Sequence, residues 1–561
     1  MKTVIIGGVA GGASAAARLR RLDERAEIVI LERGSFISYA NCGLPYYVGG
    51  TIENRSALTL QTPESFTRRF NVDVRVRHEA VGIDPAGKIV TVRNLTDGRL
   101  YEESYDSLIL SPGAEPIVPR MPGAECERIF TLRTIPDALA IRAYVEAQHP
   151  RSAVVVGGGM IGTEMAENLT AAGIAVTVVE LQDHVIAPLD FEMAADVHQY
   201  LESRGIRLML GRAVTAVEPQ GEALRVKLGR ETVDTDMLVL SVGVRPESDL
   251  AQRAGLQLTD RGAIVTDSHM RTSAPDIYAV GDAVQVHDFV TGDSAYVPLA
   301  GPANKQGRIA ADNICGISSE YAGTQGSAVV KLFDMTVAVT GLNERAAQAK
   351  GIDYDKTYTY SASHAGYYPG ATNMSIKILW ERGSLRLLGA QIVGFEGVDK
   401  RMDVLATAIR LGAKVTDLKE LELVYAPPLG SAKDPVNMAG YVAENVVTGK
   451  LKQFFWDQVD DLPRDGSVTL LDVRMPGEVA AGHIEGFQPI PLDELRGRLD
   501  ELPKDKPIYV HCHSGLRSYL ACCILRGNGF DCYNLAGGWR LYASAVRAKK
   551  ATDFPCYTRD E

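Results

Sequence analysis

Apolar residues in this chain come in short unbroken runs set between glycine-rich turns and alanine-rich stretches. Val4-Ile5-Ile6 leads into the turn Gly7 to Gly12, then a helical stretch Ala13 to Leu22, then the run Ile28 to Leu31 closed by Glu32. Runs of this length, apolar on both faces and alternating with a helical period, are the pattern of strands in a parallel sheet, so residues 3–33 predict a βαβ unit. The same order recurs at 153–180, where Val154-Val155-Val156 precedes Gly157-Gly158-Gly159-Met160-Ile161-Gly162, a helix, and Val176 to Val179 closed by Glu180. Residues 327–446 change character: strand-like runs at Ser327 to Val339, Met374 to Trp380 and Leu388 to Gly394 come before a helix near Met402 to Leu411. That order predicts an α+β module. Strand–helix alternation restarts at Val468-Thr469-Leu470-Leu471-Asp472-Val473, which predicts a separate C-terminal α/β domain. The expected class is α/β, with two Rossmann-like dinucleotide-binding domains, an α+β domain and a C-terminal α/β domain.

The 561 residues agree with that count, since a domain takes about 150 residues. A net charge of −11 without a long basic run argues against nucleic acid or an anionic membrane as partner. The apolar N-terminus breaks on glycines and runs into arginines, a poor signal peptide, and no stretch is long and apolar enough to span a bilayer, so a cytoplasmic location is expected. Eight cysteines are too few for a disulfide scaffold. In a reducing compartment each is a free thiol unless it does chemistry. No metal site is expected.

A dinucleotide site needs a tight turn that lets the backbone approach a pyrophosphate, a helix N-terminus to stabilise that anion, and a carboxylate for the ribose hydroxyls about 20 residues on. Gly157, Gly159 and Gly162, with Glu180 eighteen residues past the last, satisfy this. Glu180 repels a 2′-phosphate and Leu181-Gln182-Asp183-His184 offers no arginine for one, so NADH is favoured over NADPH. The first turn, Gly7-Gly8-Val9-Ala10-Gly11-Gly12, has Val9 at the place of the second glycine; Glu32, twenty residues past Gly12, restores the pattern. Downstream, Ile277 to Val280 ends on Gly281-Asp282-Ala283, a strand-end pair like that which meets the ribityl or pyrophosphate part of FAD in two-dinucleotide flavoenzymes. Ser111-Pro112-Gly113-Ala114 and Ser241-Val242-Gly243-Val244-Arg245-Pro246 look like the crossover strands between the two nucleotide domains of that class. Cys42 follows the first unit, and the next cysteine is Cys126, too distant for an internal dithiol. A single-cysteine cycle is therefore expected, in which the Cys42 thiolate alternates with a sulfenic acid or with a mixed disulfide to an external thiol.

With these motifs, and with Ser38-x-x-Asn41-Cys42, His364-Ala365-Gly366-Tyr367-Tyr368-Pro369 and Tyr425 to Asp434, residues 1–446 resemble the coenzyme A-disulfide reductase branch of the flavin-dependent disulfide oxidoreductases. The resemblance implies bound FAD, NADH as reductant, coenzyme A beside the active cysteine and a homodimer that completes each site. It implies FAD contacts at Gly7, Gly8, Val9, Ala10, Gly11, Gly12, Glu32, Arg33, Ser111, Gly113, Gly281, Asp282 and Ala303, and NADH contacts at Gly157, Gly159, Ile161, Gly162, Glu164, Glu180 and Gly243. Coenzyme A falls to Ser14, Arg18, Arg21, Ser38, Asn41 and Arg69, with Lys433 from the partner subunit; a family lysine is replaced by Phe70. The alternative for Arg18, Arg20 and Arg21 is a solvated helix face. No His-Pro pair lies at 440–450, and Tyr367 and Tyr425 look like the tyrosines that replace the partner histidine of glutathione-reductase-like enzymes, the alternative being core aromatics. The implied domains are FAD-binding at 1–115 and 245–325, NAD(H)-binding at 116–244, dimerisation at 326–446 and a linker at 447–456.

The last block, 457–550 before a tail at 551–561, carries Asp472-Val473-Arg474, Glu478, Gly482-His483-Ile484, and the strand Ile508 to His511 opening into Cys512-His513-Ser514-Gly515-Leu516-Arg517-Ser518. A cysteine between a strand end and a helix start is ringed by backbone N–H groups at a positive dipole end, and Arg517 adds charge, all favouring thiolate. These residues, with Leu535-Ala536-Gly537-Gly538-Trp539, resemble a single-domain rhodanese. Four residues separate Cys512 from Arg517, a short loop that suits a persulfide better than a phosphate. Cys522 and Cys523 are expected as packing residues, and Cys532 and Cys556 carry no assignment. The expected activity is NADH-dependent reduction of persulfides or polysulfides with release of hydrogen sulfide, sulfur passing from Cys512 through coenzyme A to Cys42. The alternatives are a coenzyme A-disulfide reductase or NADH oxidase with an accessory sulfurtransferase domain, or a redox sensor without turnover.

Overall fold

The computed structural model describes residues 1–552. The chain divides into two compact units, one of residues 1–181, 205–208 and 212–326, the other of residues 182–204, 209–211 and the chain from 327 onward.

In the first unit a five-stranded parallel sheet runs in the order Ile277–Ala279, Ser107–Leu110, Lys2–Ile6, Glu27–Glu32, Asp73–Val76. Val4 stands opposite both Val29 and Leu108, and these central strands are buried on both faces, which is why their sequences are unbroken apolar runs. A second parallel sheet places Ser152–Val156 between Ala175–Glu180 and Met237–Leu240, repeating the design around the second glycine turn. The two predicted crossover segments meet as an antiparallel pair, Ala114–Pro116 against Val244–Pro246.

The second unit holds an antiparallel sheet ordered Ala328–Leu332, Met335–Gly341, Leu387–Gly394, Asn373–Glu381, Tyr354–Ala362. The run Ser327 to Val339 is a hairpin rather than one strand, because Phe333, in the left-handed region at φ 53°, and Asp334 make a two-residue turn. The chain ends in a parallel sheet ordered Gln453–Phe454, Cys532–Leu535, Ile508–His511, Thr469–Asp472, Gln488–Pro489. The stretch 447–456, expected as a linker, thus supplies an edge strand, and Trp456 stacks on Phe191 with ring centres 6.1 Å apart.

Helix Phe191–Ser203 is grouped with the second unit, where its polar face finds partners. Ser375 and Ser544 donate to the two oxygens of Asp196, at 2.9 and 3.0 Å, and Tyr358 donates to Glu192 at 2.8 Å. At the root of this helix the fully buried Lys377 ammonium sits among Asp190, 2.6 Å away, Glu192 and Glu344. A lone buried ammonium is prohibitively desolvated, so these carboxylates are its condition for being there.

Candidate functional site

The two glycine turns share their close backbone approaches at the first and last glycine. Gly7 at φ 97° and Gly157 at φ 103° hold backbone that side chains rarely adopt, and a Cβ on either would lie 2.0 Å from the Ser111 carbonyl oxygen or 2.3 Å from that of Ser241. A Cβ on Gly12 or Gly162 would lie 1.9 Å from the carbonyl oxygen of Gly7 or Gly157, so these glycines let each helix start close against its strand. Nothing lies within 4 Å of a Cβ at Gly159, which explains how Val9 is tolerated at the matching place of the first turn. The acidic residue of each unit steadies its turn: Gly8 donates its N–H to Glu32 at 3.0 Å and Gly158 donates to Glu180 at 2.5 Å. The turns, the open space above them and the helix starts at Ala10 and Met160 fit a dinucleotide at each, FAD at the first and NADH at the second. Ile161 stands exposed at the start of the second helix.

Around the first turn Ser111, Val280 and Ala303 converge on Gly11, with Gly281 beside Ser111 and Ala303, and Gly281 donates its N–H to Gln306 at 2.7 Å. Asp282 is held by Arg133 at 2.8 Å, whose Nε also donates to the Ala114 carbonyl beside Gly113. Arg133 carries no motif and was legible only here. Arg33 reaches Glu247 at 2.5 Å.

Cys42 lies in the turn Asn41–Gly43 at the mouth of this site and reaches solvent. Its thiol is pushed up by burial of the sulfur, then by the charges of Glu164 and Asp282, with Arg133 opposing. Chain electrostatics therefore hold Cys42 toward the thiol. Glu164, just past the second turn, is itself pushed up to about 7 by burial, and accepts a hydrogen bond from the Tyr46 hydroxyl at 3.2 Å. Glu164→Gln removes a charge that exists above that value, so the Cys42 thiol should ionise more readily. Alkylation of Cys42 by iodoacetamide should speed by up to about tenfold above pH 7 and be unaltered well below it. A rate profile superimposable on that of the parent enzyme would remove Glu164 from the site.

The groove expected for coenzyme A has a volume of about 360 Å³ and is walled by Ser14, Arg21, Ser38, Phe66 and Phe70, with Gln61, Asn304 and Arg308 from segments that no motif marked. Ser14 donates to Asn304 at 2.5 Å. Arg18 lies outside this wall, its Nε paired with Asp312 at 2.6 Å. Arg20 is not a solvated residue: its buried guanidinium donates to the carbonyls of Asp23, Glu24, Ala26, Phe70 and Asn71. Asn41 has a buried side-chain oxygen without a hydrogen-bond partner, and Arg69 is exposed on helix Pro63–Phe70.

In the second unit the hydroxyls of Tyr367 and Tyr425 meet at 2.6 Å, with the rings 76% and 46% exposed, so neither is a core aromatic. Their hydrogen bond pushes the Tyr425 hydroxyl up. Buried Arg401 ties the two loops together, donating to the Ser363 carbonyl at 3.0 Å and to Asp434 at 2.9 Å, which places exposed Lys433 beside the tyrosines' loop. Arg401 lies mid-helix without a sequence signal.

In the C-terminal domain the Cys512 sulfur is fully buried and accepts hydrogen bonds from Gly515 N–H at 3.1 Å and the Ser518 hydroxyl at 3.2 Å. Helix Leu516–Gly527 starts there, as the sequence predicts. Arg517 has a partner that the sequence did not mark. Its guanidinium is held by both oxygens of Glu478, at 2.7 and 2.6 Å, while it also feels the charge of the Cys512 sulfur. Asp472 and Arg474 form a buried pair, and burial pushes His511 down to about 4. Cys522 and Cys532 are buried core residues, whereas Cys523 is exposed, contrary to its expected packing role. Cys556 lies outside the described residues.

The sequence matches the family described as pyridine nucleotide-disulphide oxidoreductase over residues 1–307, its dimerisation domain over 327–435 and the rhodanese-like domain over 455–545. It is 35% identical over 444 residues to coenzyme A disulfide reductase of Staphylococcus epidermidis, covering 79% of this chain and all of that protein. The reduced CoADR-RHD of Bacillus anthracis is 50% identical, with a TM-score of 0.95 over 97% of this chain and 98% of that one. An NAD-dependent persulfide reductase from A. fulgidus is 38% identical, with a TM-score of 0.91 over 97% of this chain and all of the other. Among the described residues no helix is long and apolar enough to cross a membrane.

Proposed function

Because the chain belongs to the pyridine nucleotide-disulphide oxidoreductase family and ends in a rhodanese domain, we propose that it is an NADH-dependent reductase of persulfides and polysulfides, acting on coenzyme A persulfide and releasing hydrogen sulfide. The observation that carries this reading is the pair of unlike sulfur sites on one chain: Cys42, exposed and without a second cysteine beside it among the described residues, and Cys512, buried in a loop that donates hydrogen bonds to its sulfur. The likeness over almost the whole chain to a persulfide reductase with the same domains supports it.

In this reading the Cys512 thiolate attacks the outer sulfur of a donor persulfide, and the donor leaves as a thiolate. The Gly515 N–H and Ser518 hydroxyl hold the charge on the Cys512 sulfur before it takes up the sulfane sulfur and again once that sulfur has been passed on. Coenzyme A thiolate then takes the outer sulfur from Cys512, regenerating its thiolate. Cys42 thiolate attacks the inner sulfur of coenzyme A persulfide; the sulfur–sulfur bond breaks, HS⁻ leaves, and a Cys42–coenzyme A disulfide forms. FAD, when bound at the first glycine turn, supplies the passage of two electrons from NADH to that disulfide. In a homodimer, the partner subunit's Tyr367 and Tyr425 donate the proton that the departing sulfide or thiolate takes up, their paired hydroxyls passing it between them.

The test is NADH oxidation by the FAD-loaded protein against coenzyme A persulfide, polysulfide and coenzyme A disulfide, with sulfide measured. The reading expects sulfide in equal amount to NADH with the first. NADH consumption without sulfide overturns it in favour of coenzyme A disulfide reduction, the activity named for the staphylococcal relative. Cys512→Ser should abolish turnover with donors other than coenzyme A persulfide; unchanged rates with every donor would remove the relay while leaving the reductase.

A further inference from the structure

The mouth of Cys512 differs in charge from what an anionic sulfur donor needs. A small dianion such as thiosulfate must be stripped of water to reach a buried sulfur, and cations free to receive it add to what the loop's N–H groups can offset. Three guanidiniums stand around this loop, and each is already committed. Arg474 is buried against Asp472 at 2.7 Å. Arg517 is gripped by both oxygens of Glu478. Arg540 lies 4.5 Å over the Tyr360 ring with Asp196 at 3.8 Å. The Gly515 N–H at the helix start is spent on the Cys512 sulfur itself. Glu478 is one-third exposed, so a dianion arriving at the loop meets its carboxylate.

What the mouth does offer is apolar. Leu516, inside the loop, is 59% exposed; Leu520, one turn along the same helix face, is 44% exposed; Met475, whose N–H donates to Glu478 at 3.1 Å, is 51% exposed. Leucines at these spacings form one stripe that begins at the active loop. Below Leu520 it continues into a groove of about 690 Å³ of mixed lining, with Leu492, Leu499 and Ile524 beside Asp493, Arg496 and Asn528.

From this geometry we infer that Cys512 exchanges sulfur with thiols and persulfides on uncharged, partly apolar arms, of which the pantetheine arm is one, and rejects thiosulfate-type dianions, with Glu478 as the specificity-determining residue. The inference rests on the reading of Cys512 as the sulfur carrier. The exchange is neutral in electrons: Cys512–S⁻ attacks the outer sulfur of R–S–SH, the sulfur–sulfur bond of the donor breaks, and R–S⁻ leaves while Cys512 becomes the persulfide. Run backwards, the same step loads an uncharged thiol.

The test is loading of Cys512 in the FAD-bound full chain, read by intact mass as one added sulfur that Cys512→Ser lacks, with pantetheine persulfide and with thiosulfate as donors. Pantetheine persulfide should load at least about tenfold faster. Glu478→Gln, which keeps a hydrogen bond to Arg517, should raise the thiosulfate rate by about tenfold and leave the pantetheine rate within about twofold. Met475→Lys, at an exposed position outside the ion pair, should move the ratio the same way, so a fold defect in the first variant does not decide the matter. Equal loading by both donors in the parent protein, or a ratio unmoved by both substitutions, overturns the inference while the carrier role stands. Loading by neither donor overturns the carrier role, and the inference with it.

Discussion

Cys42→Ser should reduce NADH-driven sulfide release to background, a loss of about a thousandfold or more, while FAD stays bound. The size of the effect follows from the chemistry: a serine oxygen forms no disulfide with coenzyme A, so no bond remains through which electrons reach the substrate sulfur. FAD retention follows from the site, because the turn Gly7 to Gly12, Ser111 and Gly281 that fit the cofactor do not depend on the Cys42 side chain. The measurement is a sulfide assay beside a flavin absorbance spectrum and the mass of sulfur loaded on Cys512. Flavin content and Cys512 loading should match the parent. Full sulfide release by this variant would mean that the reaction does not pass through Cys42.

Lys377→Met should cost about 3–5 kcal/mol of stability at neutral pH, because it leaves Asp190 and Glu192 buried without their cation and Glu344 with Lys356 alone. The pH dependence gives this result its signature. In the parent protein Glu344 is held down to about 2 by Lys377 and Lys356, against a desolvation that acts the other way. A carboxyl depressed in the folded state contributes stability above its ordinary value near 4.5, and that contribution is lost as pH falls toward 2. In Lys377→Met the facing carboxylates repel one another and take up protons more readily than in the unfolded chain, so the variant should regain part of its deficit as pH falls below about 5. Urea denaturation at pH 7 and pH 4 checks both parts. A deficit equal at the two values would mean that the loss came from packing rather than charge. The three carboxylates lie close enough together to suggest a metal site, but the Lys377 ammonium already stands among them.

The elements that position the chemistry were legible in the sequence where they depend on neighbours along the chain. Unbroken apolar runs around Val4 and Val154 mark strands buried on both faces, and glycines at Gly7, Gly12, Gly157 and Gly162 mark backbone that a Cβ would obstruct. Periodicity was misleading where a turn lacks glycine, as at Phe333 and Asp334, and where a short apolar segment such as Phe454 joins a sheet late in the chain.

The sequence by itself determined the two nucleotide turns with their acids, the isolation of Cys42 from a second thiol, and the placing of Cys512 at a helix start, since each is read from residue types and their order along the chain. Only the tertiary structure decided what surrounds them. It set Arg133 on Asp282, Asn304 against Ser14, Arg401 between the loops of the two tyrosines, and Lys377 among three carboxylates. It also gave Arg517, beside the sulfur, a partner in Glu478. The physical reason is common to all of these. The charge that a side chain presents depends on which partner the fold brings within hydrogen-bond distance, and partners tens or hundreds of residues away leave no period, spacing or turn in the chain to announce them.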